Sequence, residues 1–120
     1  MVKDNPLIYT SKTPDDCIVY SFVRPDGLAF VRLFVSDDDD DIPFINSLNT
    51  HVSARGNGYA DKLLDFVEEY AAKQLGSNKT SLTVESGSWM KGWYRRRGYR
   101  QMTAPDDDGC VYMVKRLNTK

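Results

Sequence analysis

Arg55-Gly56-Asn57-Gly58-Tyr59-Ala60 closes an extended stretch and opens the best amphipathic pattern in the chain. How this junction is read decides the fold. Glycine has no Cβ, so the backbone at Gly56 and Gly58 can turn tightly and approach a ligand closely. A helix N-terminus leaves N–H groups unpaired and carries partial positive charge, and both favour a phosphate. The junction is therefore a candidate seat for a phosphate-bearing cofactor.

Downstream of the turn the hydrophobic period is helical. Ala60, Leu63, Leu64, Val67, Tyr70, Ala71 and Leu75 recur on one side, with Asp61, Lys62, Asp65, Glu68, Glu69 and Lys73 largely opposite. Gly76 suits the C′ position, Ser77-Asn78-Lys79 reads as a short loop, and Ser81 to Glu85 alternates like a strand. Upstream, an extended stretch begins near Pro43. Alternation places Phe44, Asn46, Leu48, Thr50 and Val52 on one face and Ile45, Ser47, Asn49 and His51 on the other. The later half of the second face is polar, as expected for a strand whose far end borders a cavity. Strand, helix and strand in this order imply a right-handed βαβ crossover, with the glycine turn at the carboxyl end of its first strand.

Further out, Cys17 to Val23 and Leu28 to Val35 form a hairpin around Arg24-Pro25-Asp26-Gly27, and the run Asp37 to Asp41 is a loop. A second helix is expected over Trp89 to Arg97, where Trp89 and Trp93, and likewise Met90 and Tyr94, are one turn apart; Gly98 ends it. Gly92 lowers helix propensity there by roughly 1 kcal/mol relative to Ala, so tertiary packing must hold this helix. Tyr99 to Met102, an acidic turn ending in Gly109 and a strand from Cys110 to Leu117 close the chain. The expected class is α/β (α+β): one domain over 1–120, with a mixed, mainly antiparallel sheet, a central βαβ unit and helices on both faces.

Composition narrows the function classes. At 120 residues, 41% of them hydrophobic, the chain suits a single core. No apolar run approaches a membrane span, and the first residues lack the basic segment and apolar block of a secretory signal. Cys17 and Cys110 are too few for a disulfide scaffold, and a reduced cytoplasmic setting fits. A net charge of −1 argues against nucleic acid as a partner, because duplex binding rests on an extended basic surface. The aspartate run lacks the alternating spacing and later Glu of a calcium loop, so no metal is expected. No Gly-Lys-Ser/Thr follows the glycines, which excludes a P-loop, and Asp61 stands where a dinucleotide fingerprint needs its third glycine.

Two motifs in this frame carry a resemblance. Arg55-Gly56-Asn57-Gly58-Tyr59-Ala60 fits a (Gln/Arg)-x-x-Gly-x-(Gly/Ala) loop, and Trp93-Tyr94-Arg95-Arg96-Arg97-Gly98-Tyr99 looks like a Phe/Leu-Tyr-x-x-x-Gly-Phe signature. Together, over roughly residues 17 to 117, the pattern resembles the N-acetyltransferases of the GNAT family. The resemblance implies acetyl-CoA as acyl donor and direct transfer to a primary amine. It puts the pyrophosphate on backbone N–H groups between Arg55 and Ala60, that is on Arg55, Gly56, Asn57, Gly58, Tyr59 and Ala60. It sets the pantetheine arm against Leu48, Asn49 and Thr50, on a strand that splays from the next, and makes Tyr94 the proton donor to the leaving thiolate. Gly87 stands near the place of a family Asn that contacts the cofactor. The usual strand and two helices before the hairpin have only about sixteen residues to occupy, so the acceptor side is expected to be open or completed by a partner subunit, such as a homodimer.

Glu85, at a strand end, and His51, the only histidine, are the alternatives for the base that deprotonates the amine. If the acidic runs rim the acceptor site, a cationic amine is favoured. Two readings from other classes stay open: a non-catalytic GNAT-like module that binds CoA or a protein, and a plain structural domain with a glycine turn.

Overall fold

The computed structural model describes residues 5–38 and 41–117. Strands β1 (Leu7–Lys12), β2 (Ile18–Val23), β3 (Ala29–Val35) and β4 (Phe44–Thr50) come first, then helix α1 (Tyr59–Lys73) and β5 (Lys79–Glu85). Helix α2 (Trp89–Arg96), β6 (Arg100–Gln101) and β7 (Cys110–Arg116) complete the order. One seven-stranded sheet runs β1-β2-β3-β4-β5-β7-β6, antiparallel except where β4 meets β5. The mixed, mainly antiparallel sheet and its central βαβ unit are as expected. β1 was not expected; it pairs with β2 from Leu7↔Val23 to Lys12↔Ile18, and all its side chains are exposed.

The expectation of helices on both faces is corrected. β5 and β6 are both antiparallel to β7, so they are parallel to each other, and β5-α2-β6 is a second crossover in the same direction across the sheet as β4-α1-β5. Two right-handed crossovers travelling the same way put both helices on one face. Arg97, the residue that ends α2, confirms the placement by pairing with Asp61 at 2.8 Å and with Asp65, both on α1. No helix among the described residues covers the opposite face.

The core lies between that helical layer and the sheet. Phe22, Val31 and Leu33 from the hairpin, Leu64, Val67 and Ala71 from α1, and Leu82, Val111 and Met113 from β5 and β7 are buried in one cluster. A polar network is set into it. Glu68 accepts from Lys115 Nζ at 2.7 Å and from the Tyr99 hydroxyl at 2.8 Å. Since that proton is committed, Thr80 Oγ1 donates to the Tyr99 oxygen at 2.9 Å. Helix α1 is thereby bonded to β5, β7 and the end of α2. Among the described residues no helix is long and apolar enough to cross a membrane.

Tyr99→Phe keeps the ring and strands Glu68 and Thr80 as buried groups with fewer partners. It is expected to lower unfolding free energy by about 1–3 kcal/mol, read from the urea midpoint at unchanged m-value.

Candidate functional site

β4 and β5 begin as neighbours and then part. Their only paired register is Phe44↔Ser81, where Ser81 N and Oγ both donate to the Pro43 carbonyl, at 2.9 and 3.0 Å. Beyond it β4 carries a bulge: Arg32 and Phe30 of β3 face Asn46 and Asn49, and Ser47 sits at φ +61. An extra residue in one strand bends it and disrupts the ladder locally. The bulge also breaks the strict alternation expected over Phe44 to Val52. Asn46 and Asn49 share the uncovered face, while Leu48 packs against the core. Val52 has left the strand for a short 3-10 turn, Val52–Ala54.

The parted strands open a cleft of about 740 Å³. Leu48, Asn49 and Thr50 line one side, Ala54, Arg55, Gly56, Gly58, Tyr59, Ala60 and Asp61 the end, and Trp89, Met90 and Trp93 of α2 the other side. The end wall is shaped by local bonds. Asn57 Nδ2 donates to the Ala54 carbonyl at 2.8 Å, and Arg55 Nε to the Thr50 carbonyl at 3.3 Å. Gly58, at φ +74, is the N-cap of α1 and offers no side-chain cap. The first bond of the helix runs from Lys62 N to the Gly58 carbonyl, at 3.1 Å. The N–H groups of Tyr59, Ala60 and Asp61 are therefore left without acceptors among the described residues, at the closed end of the cleft.

The cleft gathers Leu48, Asn49, Thr50, Arg55, Gly56, Gly58, Tyr59 and Ala60. Asn57 braces the turn from behind instead of lining it. Tyr94 is buried next to the wall, its ring 5.0 Å from Trp93 and 5.7 Å from Tyr99. Burial pushes its phenol up to about 12, against a smaller opposing pull from Arg97. Its hydroxyl has no hydrogen-bond partner among the described residues. His51 caps the 3-10 turn, its Nδ1 accepting from Ser53 N at 3.2 Å. Glu85 is exposed at the C-terminal end of β5, opposite Cys110 and beside the turn that carries Asp106 and Asp108. Cys110 feels that cluster: desolvation, then Asp106, Glu85 and Asp108, push its thiol up. Neither Glu85 nor His51 is on the cleft wall.

The two acidic runs part company. The loop holding Asp37, Asp38 and Asp41 precedes β4, at the end of the sheet away from the cleft, with Asp39 and Asp40 outside the described residues. Only the Asp106 to Asp108 turn stands at the cleft end. Ala54, Asp61, Trp89 and Met90 are cleft residues that no motif announced, and Trp93 stood in the second motif without a role of its own; the apolar spacing along α2 was the available signal, and it reads equally as packing.

A mixed sheet split at its parallel pair, with an open helix N-terminus at the split, is the acyl-CoA N-acyltransferase type of fold. A family model described as an acetyltransferase (GNAT) domain matches residues 15–101, and the chain belongs to the GNAT family. Solved structures agree. A candidate N-acetyltransferase from Lactobacillus plantarum is 28% identical at a TM-score of 0.68, over 86% of this chain and 70% of that one. A candidate acyl-CoA N-acyltransferase from Klebsiella pneumoniae subsp. pneumoniae is 23% identical at 0.67, over 88% and 76%. A GNAT family acetyltransferase from Elizabethkingia anophelis, solved with acetyl-CoA bound, is 13% identical at 0.67, over 95% and 99%. No curated protein matches.

Gly58→Ala places a Cβ at φ +74, where no neighbouring atom stands within 4 Å, so backbone strain alone is left to act. It should destabilise by about 1–2 kcal/mol. Gly87→Ala, with open space and no left-handed φ, should stay within about 0.5 kcal/mol of wild type in the same unfolding experiment.

Proposed function

We propose that the protein is an acetyl-CoA-dependent N-acetyltransferase acting on a primary amine, and that the cleft between β4 and β5 takes the donor. The observation that carries this is the coincidence of the split strands with three unanswered N–H groups, those of Tyr59, Ala60 and Asp61. Such a helix end suits a pyrophosphate. Backbone from Arg55 to Ala60 holds the phosphates, with Asn57 keeping the turn in shape. The free edge of β4 at Leu48, Asn49 and Thr50 offers the amide-bearing pantetheine arm an extra strand's place. Bound acetyl-CoA supplies an activated thioester carbonyl. Strand N–H groups near Leu48 to Thr50 are then preorganised donors for a developing oxyanion.

Tyr94 keeps its proton at neutral pH, because burial raises its pKa, and has a hydroxyl free to donate to a leaving thiolate. Glu85 is the better-placed base, exposed at the cleft end of β5. His51 is the second choice, since capping occupies its Nδ1 and leaves only Nε2. With Asp106, Asp107 and Asp108 nearby, this end carries negative charge, which favours a cationic amine. Free, half-buried Cys17 and Cys110 suit a reducing compartment such as the cytoplasm. The second reading, a module that binds CoA without turnover, draws on the position of Tyr94 behind Trp93 and not on the cleft wall.

Incubation with acetyl-CoA and a panel of amines, followed by mass spectrometry, should show acetylated amine and stoichiometric free thiol. Tyr94→Phe should lower kcat by roughly 10²–10⁴-fold with little change in KM, the range for a lost general acid. Unchanged kcat removes Tyr94 from this role; binding with no product in any reaction selects the non-catalytic reading.

A further inference from the structure

Among the described residues Trp89 is the most exposed large apolar side chain, 75% accessible. It is the first residue of α2, fixed there by Ser88, whose Oγ accepts from Met90 N at 3.1 Å. Its indole makes no ring contact and no hydrogen bond within the described chain. The other aromatic groups of the cleft are engaged. Trp93 meets Tyr94 at 5.0 Å and has the Arg97 guanidinium 5.3 Å from its ring. Tyr59 is covered by the Arg24 guanidinium at 3.6 Å. A large indole face left in water, on the wall of a cleft, is unused area for a flat apolar partner.

Resting on the acyl-CoA reading of this cleft, we propose that Trp89 is the stacking platform for the adenine base of CoA and makes the donor a free CoA thioester. A thioester on protein-bound phosphopantetheine, which lacks the nucleotide, is then a poor donor. The chemistry divides the ligand among the walls. Phosphates take the N–H groups of Tyr59, Ala60 and Asp61, and the polar arm takes the β4 edge. The planar group that remains is the purine. It is tethered to the same phosphates, and among the aromatic faces of this cleft Trp89 is the one left open to it. Stacking tolerates a range of geometries because the whole π-face of the base is adhesive.

Calorimetric titration with two probes tests this: acetyl-CoA, and acetyl-4′-phosphopantetheine, which keeps the arm and one phosphate but has no base. Wild type should bind acetyl-CoA more tightly. Trp89→Ala should raise the Kd for acetyl-CoA about ten-fold or more, the size of one lost base–aromatic stack, and leave the other probe's Kd unchanged. Trp89→Phe should restore most of the difference, and circular dichroism should show both variants folded, since the replaced side chain is exposed. Equal weakening of both probes, or of neither, overturns the adenine assignment while leaving the cleft as the donor site. A wild type that binds neither probe overturns the cleft reading and this inference with it.

Discussion

Everything at the functional end depends on how briefly β4 and β5 stay together. Their paired register is the single Phe44↔Ser81 position, locked by two donors from Ser81 to one carbonyl. Each strand is held along its other edge, β4 by β3 and β5 by β7. The sheet therefore survives the split without unravelling. What the split leaves is the free edge of β4 from Leu48 to Thr50 facing a cleft, with its polar groups still wanting partners. A ligand rich in amides is the natural complement.

The helical layer holds that opening in place. Both crossovers land on the same face, so the N-terminus of α1 and the side of α2 can share one cleft. Arg97 ties the two helices through Asp61 and Asp65, and the Glu68, Tyr99, Thr80 and Lys115 network ties α1 to the strands beneath. These bonds lie just behind the wall formed by Trp93 and Met90. Rigidity there is what allows a short helix containing Gly92 to form one side of the cleft. The opposite face of the sheet has no such layer among the described residues, and Glu85 and the Asp106 to Asp108 turn stand open beside it.

Much of this was legible in the sequence, for definite reasons. The period of α1, the glycines before it and the alternation of β5 each carry a strong local signal, and together they located the turn and its residues. β1 was not legible, because Leu7 to Lys12 is exposed on both faces and has no burial period to read. The placement of the helices was missed because β6 is only Arg100–Gln101, too short to be read as the strand that makes the second crossover parallel. The bulge at Ser47 had no glycine or proline to announce it, so strict alternation misplaced Leu48 relative to its neighbours. Tyr94 shows the limit of spacing: its distance from Gly98 says it belongs to the helix end, and packing decides that Met90 and Trp93 face the cleft while Tyr94 faces Tyr99.

The most direct test of the central claim is amide hydrogen exchange with and without acetyl-CoA. If the open helix end and the split strand edge hold the donor, protection should rise at Tyr59, Ala60 and Asp61 and across Leu48 to Thr50, with the β3–β4 loop around Asp37, Asp38 and Asp41 unaffected. Saturating acetyl-CoA that leaves those amides unprotected, or protects that distant loop instead, would contradict it.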